Sequence, residues 1–342
     1  MTKKLPIKNF YVGFYDGPHA TPKFVEEGPI FLGVKNITED GRLSLSGTNH
    51  ISENDFQKWT KRVVPKPGDI VLTYEAALHR YAIIPDGFRG CLGRRTALLR
   101  PDKEKVTSKF LLYYFLGHEW KALIISRIFP GATVDRIPLI DFPKFQVSIP
   151  QLPVQKKIAA VLSAYDDLIE NNNRRIALLE KMAEEIYREW FVRLRFPGHE
   201  GVAFHKGIPK GWTMVKIAQA FEITGGGTPS KKEKQYWVGG DIDWYTPSDI
   251  TAAGGIFLAT SGSQCTTEGL NSSSARLFPA YSVMMTSRAT IGAIGINTNP
   301  ACTNQGFITC IPNESYPLTF LYFWLKLNKS YFEMLSTGST FA

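Results

Sequence analysis

In the middle of the chain, apolar residues recur at alternating three- and four-residue steps. Ile158, Tyr165, Leu179 and Ile186 form one column, with Asn172 in the same column, and Leu162, Ile169, Ile176, Ala183 and Trp190 form the other. This is a heptad seam, and it runs from Pro153 to Arg195 with no proline or glycine inside it. A helix of that length spans on the order of 60 Å, far longer than most helices in globular domains. Pro150 and Pro153 prevent an earlier start, and Phe196-Pro197-Gly198 is expected to end it. Such a stripe ordinarily lines a core. The length argues for a spacer helix with a second helix lying along it, in which a buried Asn172 would set the register.

The flanks carry short apolar runs broken by turn residues, and they resemble each other. Residues 30–38 match residues 242–251, and Pro67–Thr73 matches Pro279–Met285. The segment after Cys91 matches the one after Cys302, and the aromatic stretch Phe110–Leu116 matches Phe320–Lys326. Gly131-Ala132-Thr133 matches Gly338-Ser339-Thr340. Five matches in one order are not chance. They predict an α+β protein in which two similar mixed α/β domains, residues 1–152 and 196–342, are joined by a long coiled-coil-type helix over 153–195. The second copy stops before the closing strand and helix of the first, so it is expected to be incomplete.

An apolar fraction of 44% and an aromatic fraction of 13% argue for packed cores and against disorder. No apolar run reaches the length of a membrane span, and no apolar block follows the basic start, so a cytoplasmic protein with no membrane partner is expected. Cys91, Cys265, Cys302 and Cys310 form no CxxC pair, which fits reduced thiols better than a disulfide framework or a zinc site. The net charge of +9 is concentrated in residues 1–152, where 22 Lys and Arg face 15 Asp and Glu. A polyanion held mainly by the first third fits this, as does a merely basic soluble protein.

Signatures of catalysis are missing. Thr224-Gly225-Gly226-Gly227-Thr228 lacks the lysine of a phosphate-binding loop and the GxGxxG spacing. Asp166-Asp167 and Glu184-Glu185 belong to the solvated face of the long helix, and Asp102, Glu104 and Lys105 fit a charged turn better than a nuclease site. No metal or cofactor site is expected in this chain. Nucleic-acid chemistry has more support. Ser287, Arg288 and Thr290 follow a strand, and arginine offers a fork of donors suited to guanine or phosphate. Asn304 and Gln305 bring amides suited to adenine. The first copy has Tyr74 at the first of these places and Arg94 and Arg95 at the second, with Arg80 nearby. Lys23, Lys35, Thr228, Lys231 and Lys232 lie around the first shared strand, where lysines commonly clamp phosphates. Ordinary turn and surface roles stay open for all of these positions.

Gly226-Gly227-Thr228-Pro229-Ser230, Tyr236-Trp237, Asp249-Ile250, residues 286–292 and Asn304-Gln305-Gly306-Phe307 together resemble the target-recognition domain of type I restriction-modification specificity subunits. Residues 149–158 and 168–180 resemble the family's conserved helix. The resemblance implies sequence-specific recognition of a split, asymmetric stretch of double-stranded DNA by a non-catalytic subunit. It implies methylation subunits using S-adenosylmethionine, a restriction and translocase subunit using ATP and Mg, and a chain that ends before the second conserved helix. Self-association through the unpaired seam is a further expectation. A nuclease or methyltransferase remnant and a coiled-coil assembly scaffold remain as alternatives.

Overall fold

The computed structural model describes residues 3–128, 135–288 and 290–335. The chain divides into two units, Met1–Arg175 and Ile176–Ala342.

The first unit contains strands β1 (Tyr11–Asp16), β2 (Val25–Leu32), β3 (Asn49–His50), β4 (Ile70–Thr73), β5 (Tyr81–Ile83), β6 (Gly90–Leu92) and β7 (Thr96–Pro101). One antiparallel sheet has the order β1-β7-β4-β5. A smaller sheet has the order β3-β2-β6, with β2 and β6 parallel. All four residues of β4 are buried, because alternate side chains feed two different cores. Ile70 and Leu72 face a large aromatic cluster with Phe110, Phe115 and Trp120, whereas Val71 packs with Leu32, Ile37 and Leu92. Helices α1 (Glu53–Trp59), α2 (Ser108–Leu116) and α3 (His118–Ile125) complete the unit. The Ser52 and Thr107 hydroxyls cap α1 and α2 by accepting from the backbone N–H groups of Asp55 and Phe110. Leu5–Pro6 pairs with Gln146–Val147, joining the two ends of this fold.

Helix α4 spans Leu152–Tyr187 and continues into a π-helical turn over Arg188–Val192. The expected stop at Phe196 therefore comes late. The ladder widens first, with the Arg193 N–H donating to the Arg188 carbonyl at 2.7 Å, and Leu194 turns left-handed at φ 58°. Gln155 fixes the helix start. Its buried amide accepts from the Thr107 N–H at 3.0 Å and donates to the carbonyls of Lys105 and Pro150 at 2.8 Å each. Later in the helix, Glu184 holds Lys326 at 2.9 Å and Arg188 at 2.7 Å. The seam is exposed, with Ile176 and Leu179 at 54% and 61% of full accessibility. Ile158, Leu162, Tyr165, Ile169, Ile186 and Trp190 are exposed too. Asn172, expected to be buried, is exposed with them, because nothing among the described residues covers the stripe. The division between the two units falls inside this helix.

The second unit contains β8 (Glu222–Gly225), β9 (Ile242–Tyr245), β10 (Phe257–Leu258), β11 (Gln264–Cys265), β12 (Val283–Thr286), β13 (Ile294–Asn297), β14 (Ala301–Thr303) and β15 (Phe307–Ile311). Its further α-helices of five residues or more are α5 (Pro247–Ala252), α6 (Thr267–Asn271), α7 (Leu318–Leu327) and α8 (Lys329–Leu335). The sheets have the orders β8-β15-β12-β13-β10 and β11-β9-β14, with β9 and β14 parallel. Apart from β10, which pairs in parallel at one edge, these two sheets repeat the two sheets of the first unit strand for strand. Four of the five sequence matches fall on equivalent elements. The fifth, at Gly131 and Gly338, lies outside the described residues.

Candidate nucleic-acid interface

Both units build a tip from the end of one buried strand and the start of another, and the backbone hydrogen bonds align the two tips. The Thr73 N–H donates to the Arg80 carbonyl at 3.1 Å, as the Thr286 N–H does to the Ala293 carbonyl at 2.9 Å. The hydroxyls of Thr73 and Thr286 close the same turn by donating to the carbonyls of Ala77 and Thr290. The Tyr74 N–H donates to the Arg95 carbonyl at 3.1 Å, as the Ser287 N–H does to Gly306 at 2.8 Å. The Gly93 N–H reaches Leu32 at 2.9 Å, as the Asn304 N–H reaches Tyr245 at 3.0 Å. Tyr74 therefore corresponds to Ser287, Glu75 to Arg288, Gly93 to Asn304, Arg94 to Gln305 and Arg95 to Gly306.

In the second unit a glycine loop lies against this frame. A Cβ on Gly226 would meet the Asn304 carbonyl oxygen at 2.0 Å, so only glycine permits the approach. The next residues are fixed by the Gly227 N–H donating to the Thr303 carbonyl at 2.9 Å and by the Trp244 indole donating to the Gly227 carbonyl at 2.9 Å. The Thr228 hydroxyl then donates to the Gln305 side-chain oxygen at 2.7 Å, bringing together two candidates 77 positions apart. The Asn304 side chain accepts from the Gly306 N–H at 2.8 Å, so part of its amide holds the turn. Thr228, Lys231, Lys232, Arg288, Thr290 and Gln305 are exposed, and Ser287 and Asn304 are half-buried. The Lys231 ammonium lies 5.8 Å from the centre of the Trp244 ring. Behind this surface Asp243 is buried and accepts from Thr260 and the Ser261 N–H, each at 2.9 Å, and from Gln264 at 3.2 Å. Burial alone would raise its carboxyl pKa, but these donors outweigh it and hold the group below the ordinary aspartate value.

The first unit's tip is built differently. Tyr74 is not a surface contact. It is 1% exposed, because strand alternation from Ile70 and Leu72 carries its ring into the core. Arg80 is half-buried and already engaged, with Glu39 at 3.1 Å and the Ile37 carbonyl at 3.4 Å. Arg95 pairs with Glu75 at 2.9 Å. Arg94 and Lys23 are exposed, and exposed Lys35 donates to the Gly47 carbonyl at 3.3 Å. The sequence reading missed Arg62, which pairs with Asp16 at 2.5 Å and donates to the Gly17 carbonyl at 3.3 Å. It also missed Arg136, which lines a cavity of about 390 Å³ with Asp16, His19 and Tyr74. Gly17 was the available signal. A Cβ there would meet the Gly93 carbonyl oxygen at 2.1 Å, the same close approach that Gly226 makes.

Among the described residues, no group of three or more His, Cys, Asp or Glu side chains could hold a metal ion. No helix among them is long and apolar enough to cross a membrane.

The model of the type I restriction modification DNA specificity domain matches residues 25–181 and again residues 209–342. The chain is 40% identical over 136 residues to the MjaIX specificity subunit of Methanocaldococcus jannaschii, covering 39% of this chain and 31% of that one. It is 22% identical to the HindI specificity subunit of Haemophilus influenzae, covering 91% of this chain and 80% of that one. The chain thus spans under a third of the first relative's length. The fold is similar to the crystal structure of the S subunit from M. genitalium, with a TM-score of 0.54 at 16% identity, covering 100% of this chain and 81% of that one.

Proposed function

The chain belongs to the type I restriction modification DNA specificity family, and from that membership we propose that it reads a two-part target in double-stranded DNA, one part through each unit. The observation that carries this is the shared tip. One hydrogen-bonded frame presents Ser287, Arg288 and Gln305 in one unit and Glu75, Arg94 and Arg95 in the other. Two readers of different half-sequences need this combination of a constant backbone and variable side chains. Arginine suits guanine, glutamine suits adenine, and the surrounding lysines suit phosphates.

In this proposal the chain contributes recognition and docks methylation subunits that carry S-adenosylmethionine. A restriction and translocase subunit with ATP and Mg joins that complex in the cytoplasm. The exposed apolar stripe on α4, from Ile158 to Trp190, supports a partner helix supplied by another polypeptide, whether a methylation subunit or a second copy.

The test is a gel-shift titration of the full chain on duplex DNA at increasing salt. A DNA reader loses affinity steeply, by about 10³-fold or more between 50 and 200 mM salt if six or more phosphates are neutralised. Absence of salt-sensitive DNA affinity overturns the proposal. Mapping the adenines methylated when the chain is combined with its methylation subunit then gives both halves of the target.

A further inference from the structure

A carboxylate at a DNA-facing tip is out of place, since it repels the phosphates that bring the surfaces together. Glu75 occupies that place, at the position that is Arg288 in the second unit. It is not a free surface acid. Its side chain is 24% exposed, and its oxygen lies 2.9 Å from the Nε of Arg95, whose own side chain is 42% exposed. Glu75 also acts on buried Tyr74 beside it, together with Asp16, Arg136 and Arg62, of which Asp16 and Arg62 form a second ion pair.

Arg95 is unusual in its backbone as well. Its φ of 66° lies in the left-handed region, which a non-glycine residue rarely adopts. The facing turn repeats the feature. Ala76 and His79 have φ values of 71° and 63°, and the His79 position is filled in the second unit by Gly292 at 79°. The first tip thus keeps three side chains at left-handed positions, and one of them is an arginine clamped by an acid. The closest approach of the carboxylate is to the Nε side of the guanidinium, and the terminal amino groups form the other end of the fork. Two parallel donors held in that way match the O6 and N7 acceptors of guanine.

We infer that Glu75 is a positioning residue that holds the Arg95 fork for a guanine in the first half of the target. The inference rests on the DNA-recognition proposal above and adds the base and the residue that sets it. Arg94, exposed and adjacent, is left to contact the phosphate backbone.

The experiment selects bound molecules from a pool of duplexes with a randomised central segment, using the full chain, and sequences them. Wild-type protein enriches a guanine in one half-site. Glu75→Ala lowers that guanine preference about tenfold or more and leaves the other half unchanged. Glu75→Gln, which keeps an acceptor oxygen, retains most of the preference. Arg95→Lys keeps a cation beside Glu75 but lacks the fork, so it loses the preference at the same position even if Glu75→Ala fails to fold. A sequence-selective wild type whose guanine preference survives both Glu75→Ala and Arg95→Lys overturns this inference alone. A uniform loss of affinity across all sequences in Glu75→Ala also overturns it, since a merely structural role predicts that result. If the wild-type pool stays random, the underlying DNA-recognition proposal fails, and this inference fails with it.

Discussion

Asp243 shows how one side chain sets the ground beneath a candidate site. Its buried oxygen gathers donors from Thr260, Ser261 and Gln264, fixing the loop that follows β10. Because the folded carboxyl sits below its ordinary value, its contribution is complete above about pH 4 and is lost as the pH falls through the folded value. Asp243→Asn removes the charge. It is expected to destabilise the second unit by about 1–3 kcal/mol near neutral pH and to flatten the acid limb of stability, as read by thermal unfolding from pH 7 to pH 3. The sequence made some residues of the interface legible and hid others. Arg288, Asn304 and Gln305 stand out because donors and acceptors cluster just after an apolar strand. Tyr74 misleads for a physical reason: beside a turn, an aromatic residue can stack on bases or continue the strand's inward face, and only the packed core decides. The Glu75–Arg95 pair joins residues twenty positions apart, and no local pattern announces it.

At the scale of elements, the long helix was the most legible part and the short strands the least. A period of seven without a breaker specifies α4 whatever surrounds it. Its end was misplaced because packing decides it: Tyr187 and Phe191 lie 5.5 Å and 4.9 Å from Phe320, and the helix widens there into a π turn before Phe196 is reached. Strands such as Asn49–His50 and Gln264–Cys265 are two residues long and have no periodicity to detect. Each exists as an antiparallel partner at one edge of its sheet, Asn49–His50 against β2 and Gln264–Cys265 against β9. The exposed stripe on α4 leads to a prediction of its own. Leu179→Asp puts a charge where a partner helix would pack, so it should abolish co-purification with a methylation subunit and self-association. The melting of the isolated chain should stay nearly unchanged, because Leu179 is 61% exposed. Partner binding that survives the substitution would reject the stripe as an interface.

For the molecule as a whole, two copies of one frame predict effects that stay local. Arg288→Ala should relax base preference in one half of the target, at a cost of roughly 1–3 kcal/mol, and leave the other half as selective as before. Sequencing of selected duplexes checks this, and a loss spread evenly over both halves would reduce Arg288 to a phosphate contact. The repeat was legible because blocks of similar sequence recur in one order at a nearly constant offset, and the structure adds matching backbone hydrogen bonds from Thr73 and Thr286 to Arg95 and Gly306. Which side chains pair across each tip was not. The pairing of Leu5–Pro6 with Gln146–Val147 has a consequence during synthesis. A nascent chain can join the ends of its first unit once Val147 has emerged. Its core is completed only when the start of α4 follows, since Ala159 is buried with Trp120 and Gln155 bonds Thr107 and Lys105. The first turns of α4 thus dock as the aromatic core closes, and the later, exposed part of the stripe emerges onto a unit whose core is already filled by its own helix start.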